Sequence, residues 1–163
     1  MSEPDIREAD DTDLVPLVKH LGQPGYFADR LAKQANGEGL LLVAWSDDHP
    51  IGDVYLWLAA AEEPEIRDRL PNIPLLTHLE VHHEHRNQGC GSALVIAAER
   101  ELTGRGRDRV VLAIEQHNDG VAGFYSRRGY REWPFGFVPC LTHPEDGEPR
   151  VVEICRIMVK GLS

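Results

Sequence analysis

Cysteine is scarce in this chain: Cys90, Cys140 and Cys155 are the only three among 163 residues, and no pair has Cys-x-x-Cys or zinc-finger spacing. A structural zinc site of that type is excluded, and the odd number speaks against a disulfide framework. Basic charge is also short. Lys and Arg total 17 against 27 Asp and Glu, a formal net charge of −10. Such a surface disfavours proteins that track nucleic-acid phosphates and proteins that anchor on anionic membranes. There is no apolar run long enough to span a bilayer and no basic-then-apolar leader after Met1, so the expected setting is cytoplasmic, with reduced thiols. Repeats and low-complexity tracts are missing too.

What is present is a composition of 42% hydrophobic and 27% charged residues, which describes one globular domain over residues 1–163 with a core of its own. The acidic surface suits cationic partners such as amines. Ile6 and Arg7 fall in a short strand. Asp11-Thr12-Asp13 then offers N-cap chemistry for a helix with Leu14, Leu17, Val18 and Leu21 on one face. A second helix over 26–35 carries Phe27, Leu31 and Ala32. Residues 40–45 and 51–59 flank a polar turn and predict a hairpin. A short helix is expected over 62–69 and a strand over 75–81.

From Gly89 the pattern turns helical, with Ala93, Leu94, Ile96, Ala97 and Leu102 as its apolar stripe. The apolar run 110–114 suits a strand buried on both faces. A helix over 119–128 stops at Gly129, and strands over 130–138 and 151–159 close a mixed α/β order. Trp133, Phe135 and Phe137 alternate on the first of these, so they would share a sheet face as core or as an acceptor pocket with Tyr26 or Trp57. Exposed edges near 151–159 leave a homodimer open.

Chemistry concentrates in Leu79-Glu80-Val81-His82-His83-Glu84-His85-Arg86-Asn87-Gln88-Gly89-Cys90-Gly91-Ser92, a strand end, a glycine-punctuated loop and a helix start. Backbone N–H groups with no side chains in the way, at the positive end of a helix, make a cradle for phosphate or pyrophosphate. The Gly-Lys-Ser/Thr ending of a Walker loop is lacking, as are the third glycine and ribose-binding acid of a dinucleotide fingerprint, so nucleoside triphosphate and NAD readings fall.

Strand, Arg86-Asn87-Gln88-Gly89-Cys90-Gly91, helix, strand, then Asn118 with Tyr125 seven residues on and Gly129-Tyr130 closing, resembles the GNAT superfamily of N-acyltransferases from about residue 76 to 132. The resemblance implies an α/β (α+β) domain: a central mixed, mostly antiparallel sheet of about seven strands, splayed in the middle, with about four to five flanking helices. It implies acetyl-CoA as co-substrate, held in the splay, with no metal. The backbone of Gln88, Gly89, Cys90, Gly91 and Ser92 would cradle the pyrophosphate, with Arg86 opening that cofactor loop. Val81 would be a main-chain partner of the pantetheine arm, and Asn118 and Tyr125 would face it. On a helix starting near Asp119, Val121 and Tyr125 share a face, and the Tyr125 hydroxyl is the expected general acid for the leaving thiolate.

The implied reaction is direct attack of a small-molecule primary amine on the thioester, with a protein N-terminus or lysine as alternative acceptor. A non-catalytic acyl-CoA-binding module is the competing class. Glu80 is the first candidate base, with Glu115 and His78 behind it. The chain departs from the family pattern at Asn87, Val121, Gly123 and Arg128; Arg128 is either a solvated charge or a phosphate contact. His78, His82, His83 and His85 cluster, but on a strand and its following turn His82 and His83 should point apart, which argues against a metal site. Cys90 in the loop invites a nucleophile reading that direct acyl transfer does not need, and Glu145, Asp146 and Glu148 form either a solvated acidic loop or one that covers the acceptor site and attracts an amine.

Overall fold

The computed structural model describes residues 4–142 and 147–163. β1 (Asp5–Glu8) lies at a sheet edge, antiparallel to β2 (Gly39–Ser46), which turns through Asp47 and Asp48 into β3 (His49–Trp57). Both aspartates have positive φ, 50° and 66°, as a two-residue hairpin turn with matching twist requires. Side chains alternate along these strands. Leu41, Val43 and Tyr55 face one layer, whereas Leu40, Leu42, Val54 and Leu56 face the other, so both faces are buried.

The first layer is made by α1 (Leu14–Leu21) and α2 (Pro24–Ala35), which bring Leu17, Phe27 and Leu31 onto that face. Their entry is capped one residue earlier than the sequence suggests. The Asp10 carboxylate accepts from Thr12 N at 2.9 Å while the Asp13 carboxylate accepts from Asp10 N at 2.9 Å, a reciprocal capping box across the 3-10 turn Asp11–Asp13.

After the short α3 (Pro64–Arg69), β4 (Leu75–Val81) runs antiparallel to β3. Then come α4 (Cys90–Gly104), β5 (Arg109–Glu115), α5 (Asp119–Ser126), β6 (Arg131–Glu132), β7 (Val138–Leu141) and β8 (Val152–Gly161). The sheet order is β1-β2-β3-β4-β5-β8-β6, with β7 also on β8. Only β4 and β5 are parallel, and a single register pair, Leu75 with Val111, joins them. No helix among the described residues is long and apolar enough to cross a membrane.

Three expectations need correction. The strand read over 130–138 divides into β6 and β7, giving eight strands. Pro134 and Gly136 (φ 83°) make a turn between them, closed by Trp133 Nε1 donating to the Gly136 carbonyl at 2.7 Å. Trp133 is therefore buried, while Phe135 and Phe137 are 50% and 56% exposed and share no sheet face with it. On α4 the buried stripe is Cys90, Leu94, Val95, Ala98 and Leu102, with Ile96 turned to solvent. That helix is apolar around most of its circumference, so the pattern left its orientation open. Finally, β5 is not covered throughout, because Ala113 is exposed where the sheet opens.

Candidate active site

A bulge lies in β4 beside the opening. Asp53 pairs with Glu80 and Tyr55 with Thr77, so β4 carries an extra residue against β3 in this stretch, and His78 takes a left-handed φ of 51°. Beyond Leu75 and Val111 the strands separate. The cavity between them, about 520 Å³, is lined by residues 75–79 of β4 and 112–115 of β5, by Asn118, Val121 and Tyr125 of α5, and at its other end by Trp57, Glu62, Glu63 and Glu153. A larger groove of about 930 Å³ lies between β1 and the outer side of α4; it touches Gln88 and Gly89 but none of the α5 residues.

At the start of α4, Asn87 and Gly89 have φ of 62° and 87°, so Asn87 is a departure from the family pattern that suits the left-handed backbone there. The helix begins with Ala93 N donating to the Gly89 carbonyl at 3.0 Å. The N–H groups of Cys90, Gly91 and Ser92 have no acceptor among the described residues, as expected of a first helical turn. This turn packs close to β3. A Cβ at Gly52 would stand 2.8 Å from the Glu80 carbonyl and 3.3 Å from Cys90 Sγ. A Cβ at Gly91 would meet Leu79, Val81 and Phe124 at 3.8–3.9 Å, which places the turn against the cavity's rim.

Arg86 folds back, Nε donating to the Val81 carbonyl at 3.0 Å, and the exposed Gln88 side chain reaches the Glu84 carbonyl at 3.5 Å. Ser92 accepts from Arg128 Nε at 3.1 Å. Arg128 also donates to the Phe124 carbonyl at 2.7 Å and lies 3.6 Å over the Phe124 ring, so it ties α5 to α4 instead of standing in solvent. Cys90 is buried, and burial pushes its thiol up, away from nucleophile chemistry.

Asn118 caps α5, its Oδ1 accepting from Val121 N at 3.2 Å, and lines the cavity as well. Tyr125 is buried edge-on against Phe124 and Tyr130, and its hydroxyl has no hydrogen-bond partner among the described residues. Burial raises its pKa well above the ordinary value, so it stays protonated. Glu115 lines the cavity, and its carboxylate also accepts from His117 N at 2.8 Å.

Glu80 stands beside the cavity lining, and His78 is in it. His78 Nδ1 is 3.1 Å from Asp53 Oδ1 and its Nε2 is 3.8 Å from Glu80 Oε2, with the Tyr26 ring stacked at 4.0 Å. Asp53 is fully buried, and burial raises its pKa. Burial also opposes charge on His78, but the Asp53 hydrogen bond and the charges of Asp53 and Glu80 outweigh it, and His78 titrates above its usual value. Asp53 was not among the sequence candidates; its one signal was a lone acid inside the apolar run 51–58.

The remaining histidines differ from expectation. The His82 and His83 rings stack at 4.3 Å, because the 3-10 turn His83–His85 ends strand alternation at Val81 and Glu84 N donates to His82 Nδ1 at 3.2 Å. Of the expected acceptor-pocket aromatics only Trp57 lines the cavity. Glu145 and Asp146 lie outside the described residues, and Glu148 is exposed.

The acetyltransferase (GNAT) family model matches residues 5–130. Among solved structures the chain is similar to the PaiA N-acetyltransferase of Thermoplasma acidophilum in complex with coenzyme A, with 19% identity, 99% of each chain covered and a TM-score of 0.68. It is also similar to a GNAT-family acetyltransferase of Streptococcus pneumoniae, with 20% identity, 98% of this chain and 100% of that one covered, and a TM-score of 0.71. The ribosomal-protein-alanine N-acetyltransferase of Brucella melitensis gives 18% identity, 97% and 99% coverage, and a TM-score of 0.71. Together with the eight-stranded sheet that opens at its one parallel pair, the family match shows that the chain belongs to the GNAT family of acyl-CoA-dependent N-acetyltransferases.

Proposed function

We propose that the enzyme transfers an acetyl group from acetyl-CoA to a primary amine of a small cationic molecule by direct attack on the thioester. The observation that carries this reading is the cavity at the β4–β5 opening. It joins the Tyr125 hydroxyl, which has no hydrogen-bond partner among the described residues, to an acceptor end bearing Glu63 and Glu153, with Glu115 on the β5 wall and Glu62 already paired with Arg150 at 2.8 Å. Coenzyme A in the Thermoplasma relative supports the donor.

In this reading the free N–H groups of Cys90, Gly91 and Ser92 bind the pyrophosphate, where a helix N-terminus favours negative charge. The pantetheine arm lies along the Val81 backbone and Asn118. The amine attacks the carbonyl carbon, a basic group near Glu80 takes its proton, and Tyr125 gives its proton to the departing sulfur. Carboxylates at the acceptor end hold the substrate's charge where water is partly excluded. A protein α-amine is the competing acceptor, in keeping with the Brucella relative.

The test is thiol release from acetyl-CoA against a panel of monoamines, diamines and a short peptide with N-terminal alanine. Turnover of diamines ahead of the rest is the expected result. Turnover of the peptide alone moves the acceptor to proteins, and tight acetyl-CoA binding with no turnover on any amine makes the domain a binding module.

A further inference from the structure

The candidate base near Glu80 belongs to a cluster built from three elements. The donor atoms of Asp53 (β3), His78 and Glu80 (β4) lie within 4.8 Å of one another, under the Tyr26 ring of α2. The charged and titratable groups facing His78 are Asp53, Glu80, Tyr26 and Arg30. Only His78 of the three lines the cavity. Its two nitrogens differ in surroundings. Nδ1 is within hydrogen-bond reach of the buried Asp53 carboxyl, whereas Nε2, 3.8 Å from Glu80, is beyond such reach, so in the neutral Nδ1–H form of the ring the lone pair lies on Nε2.

Resting on the acetyltransfer reading, we infer that His78 Nε2 takes the proton from the acceptor amine, and that Asp53 is the residue that positions it. Asp53 fixes the Nδ1–H tautomer, and His78, at its left-handed φ in the bulge, lines the cavity at the β4–β5 opening. Glu80 then acts through its charge on the imidazolium and on the positive charge that develops on the attacking nitrogen of the neutral amine.

The step balances. The C–N bond forms as the carbonyl π pair moves to oxygen, and the nitrogen's proton passes to Nε2. Collapse breaks the C–S bond, and the sulfur takes the Tyr125 proton. His78 then releases its proton to solvent and Tyr125 regains one, leaving amide and free thiol with the protein unchanged.

The experiment combines imidazole NMR titration of the full chain with pH profiles of thiol release on the fastest amine of the panel, for the parent, His78→Asn, Asp53→Asn and Glu80→Gln. Asn is chosen at 78 because it tolerates positive φ. Expected are an Nδ1–H tautomer at His78, loss of kcat/KM by about a hundredfold in His78→Asn with acetyl-CoA affinity kept, and an acid limb moved to lower pH in Asp53→Asn. If Asp53→Asn does not fold, Glu80→Gln must move the limb in the same direction. An Nε2–H tautomer, an unmoved limb, or a His78→Asn enzyme within about threefold of the parent overturns the inference. Binding without turnover on any amine fails the acetyltransfer reading instead, and the NMR titration still decides whether Asp53 holds His78.

Discussion

At the scale of single residues, Tyr125 and Cys90 are both buried, and burial gives them opposite fates. A buried phenol keeps its proton and can still donate it to a thiolate formed beside it, so Tyr125→Phe should retain the fold and acetyl-CoA binding while thiol release falls by about a hundredfold. Calorimetry with acetyl-CoA beside the thiol assay separates the two effects. The same burial places Tyr125 ionisation above the ordinary tyrosine range, so Tyr125 supplies no alkaline limb to the rate profile below pH about 10. A buried thiol kept protonated is a poor nucleophile, and Cys90→Ala should keep its turnover while losing roughly 1 kcal/mol of stability to a small cavity.

Among the elements, the loop into α4 ties backbone conformation to the proposed acetyl-CoA binding. Gly89 sits at φ 87° with nothing within 4 Å of an added Cβ, so conformation and not crowding demands glycine there. Gly89→Val should therefore cost about 1–2 kcal/mol and weaken acetyl-CoA binding, whereas Gly89→Asn should retain most of both; melts and calorimetry compare them. The cap of the first helical segment offers a pH test. The Thr12 hydroxyl and N–H hold the Asp10 carboxyl below the ordinary carboxylate range. A folded-state pKa below the unfolded one gives stability that is complete above the unfolded value and lost as pH falls through the folded one. Asp10→Ala should melt earlier than the parent at neutral pH, and the gap should close on acidification.

For the whole molecule, one register pair joins the two halves of the sheet across the parallel seam, and a ligand in the opening touches both. Acetyl-CoA at about a hundred times its Kd should stabilise the fold by about 2.7 kcal/mol, raising Tm by roughly 5–10 °C. Scanning calorimetry measures the shift, and hydrogen exchange should show protection concentrated in β4 and β5.

Local chemistry made much of this legible beforehand. The β2–β3 hairpin, β4 and the helix read over 119–128, which ends at Ser126, follow from apolar runs, a polar turn and the stop at Gly129, signals written within a few residues of where they act. The glycine loop before α4 was legible for the same reason: φ is a property of one residue. Orientation and pairing were not. Which side of a mostly apolar α4 meets the sheet depends on what lies opposite, and the 133–137 turn overrides an alternation that sequence alone reads as strand. Asp53 meets His78 across 25 residues because a bulge sets the register of β4 on β3. Most elements and the glycine-punctuated loop before α4 could be read from the chain alone, because backbone preference and turn chemistry are short-range. Only the tertiary structure decided where the sheet opens and which imidazole a buried carboxyl holds, because strand register and burial arise from contacts between distant segments.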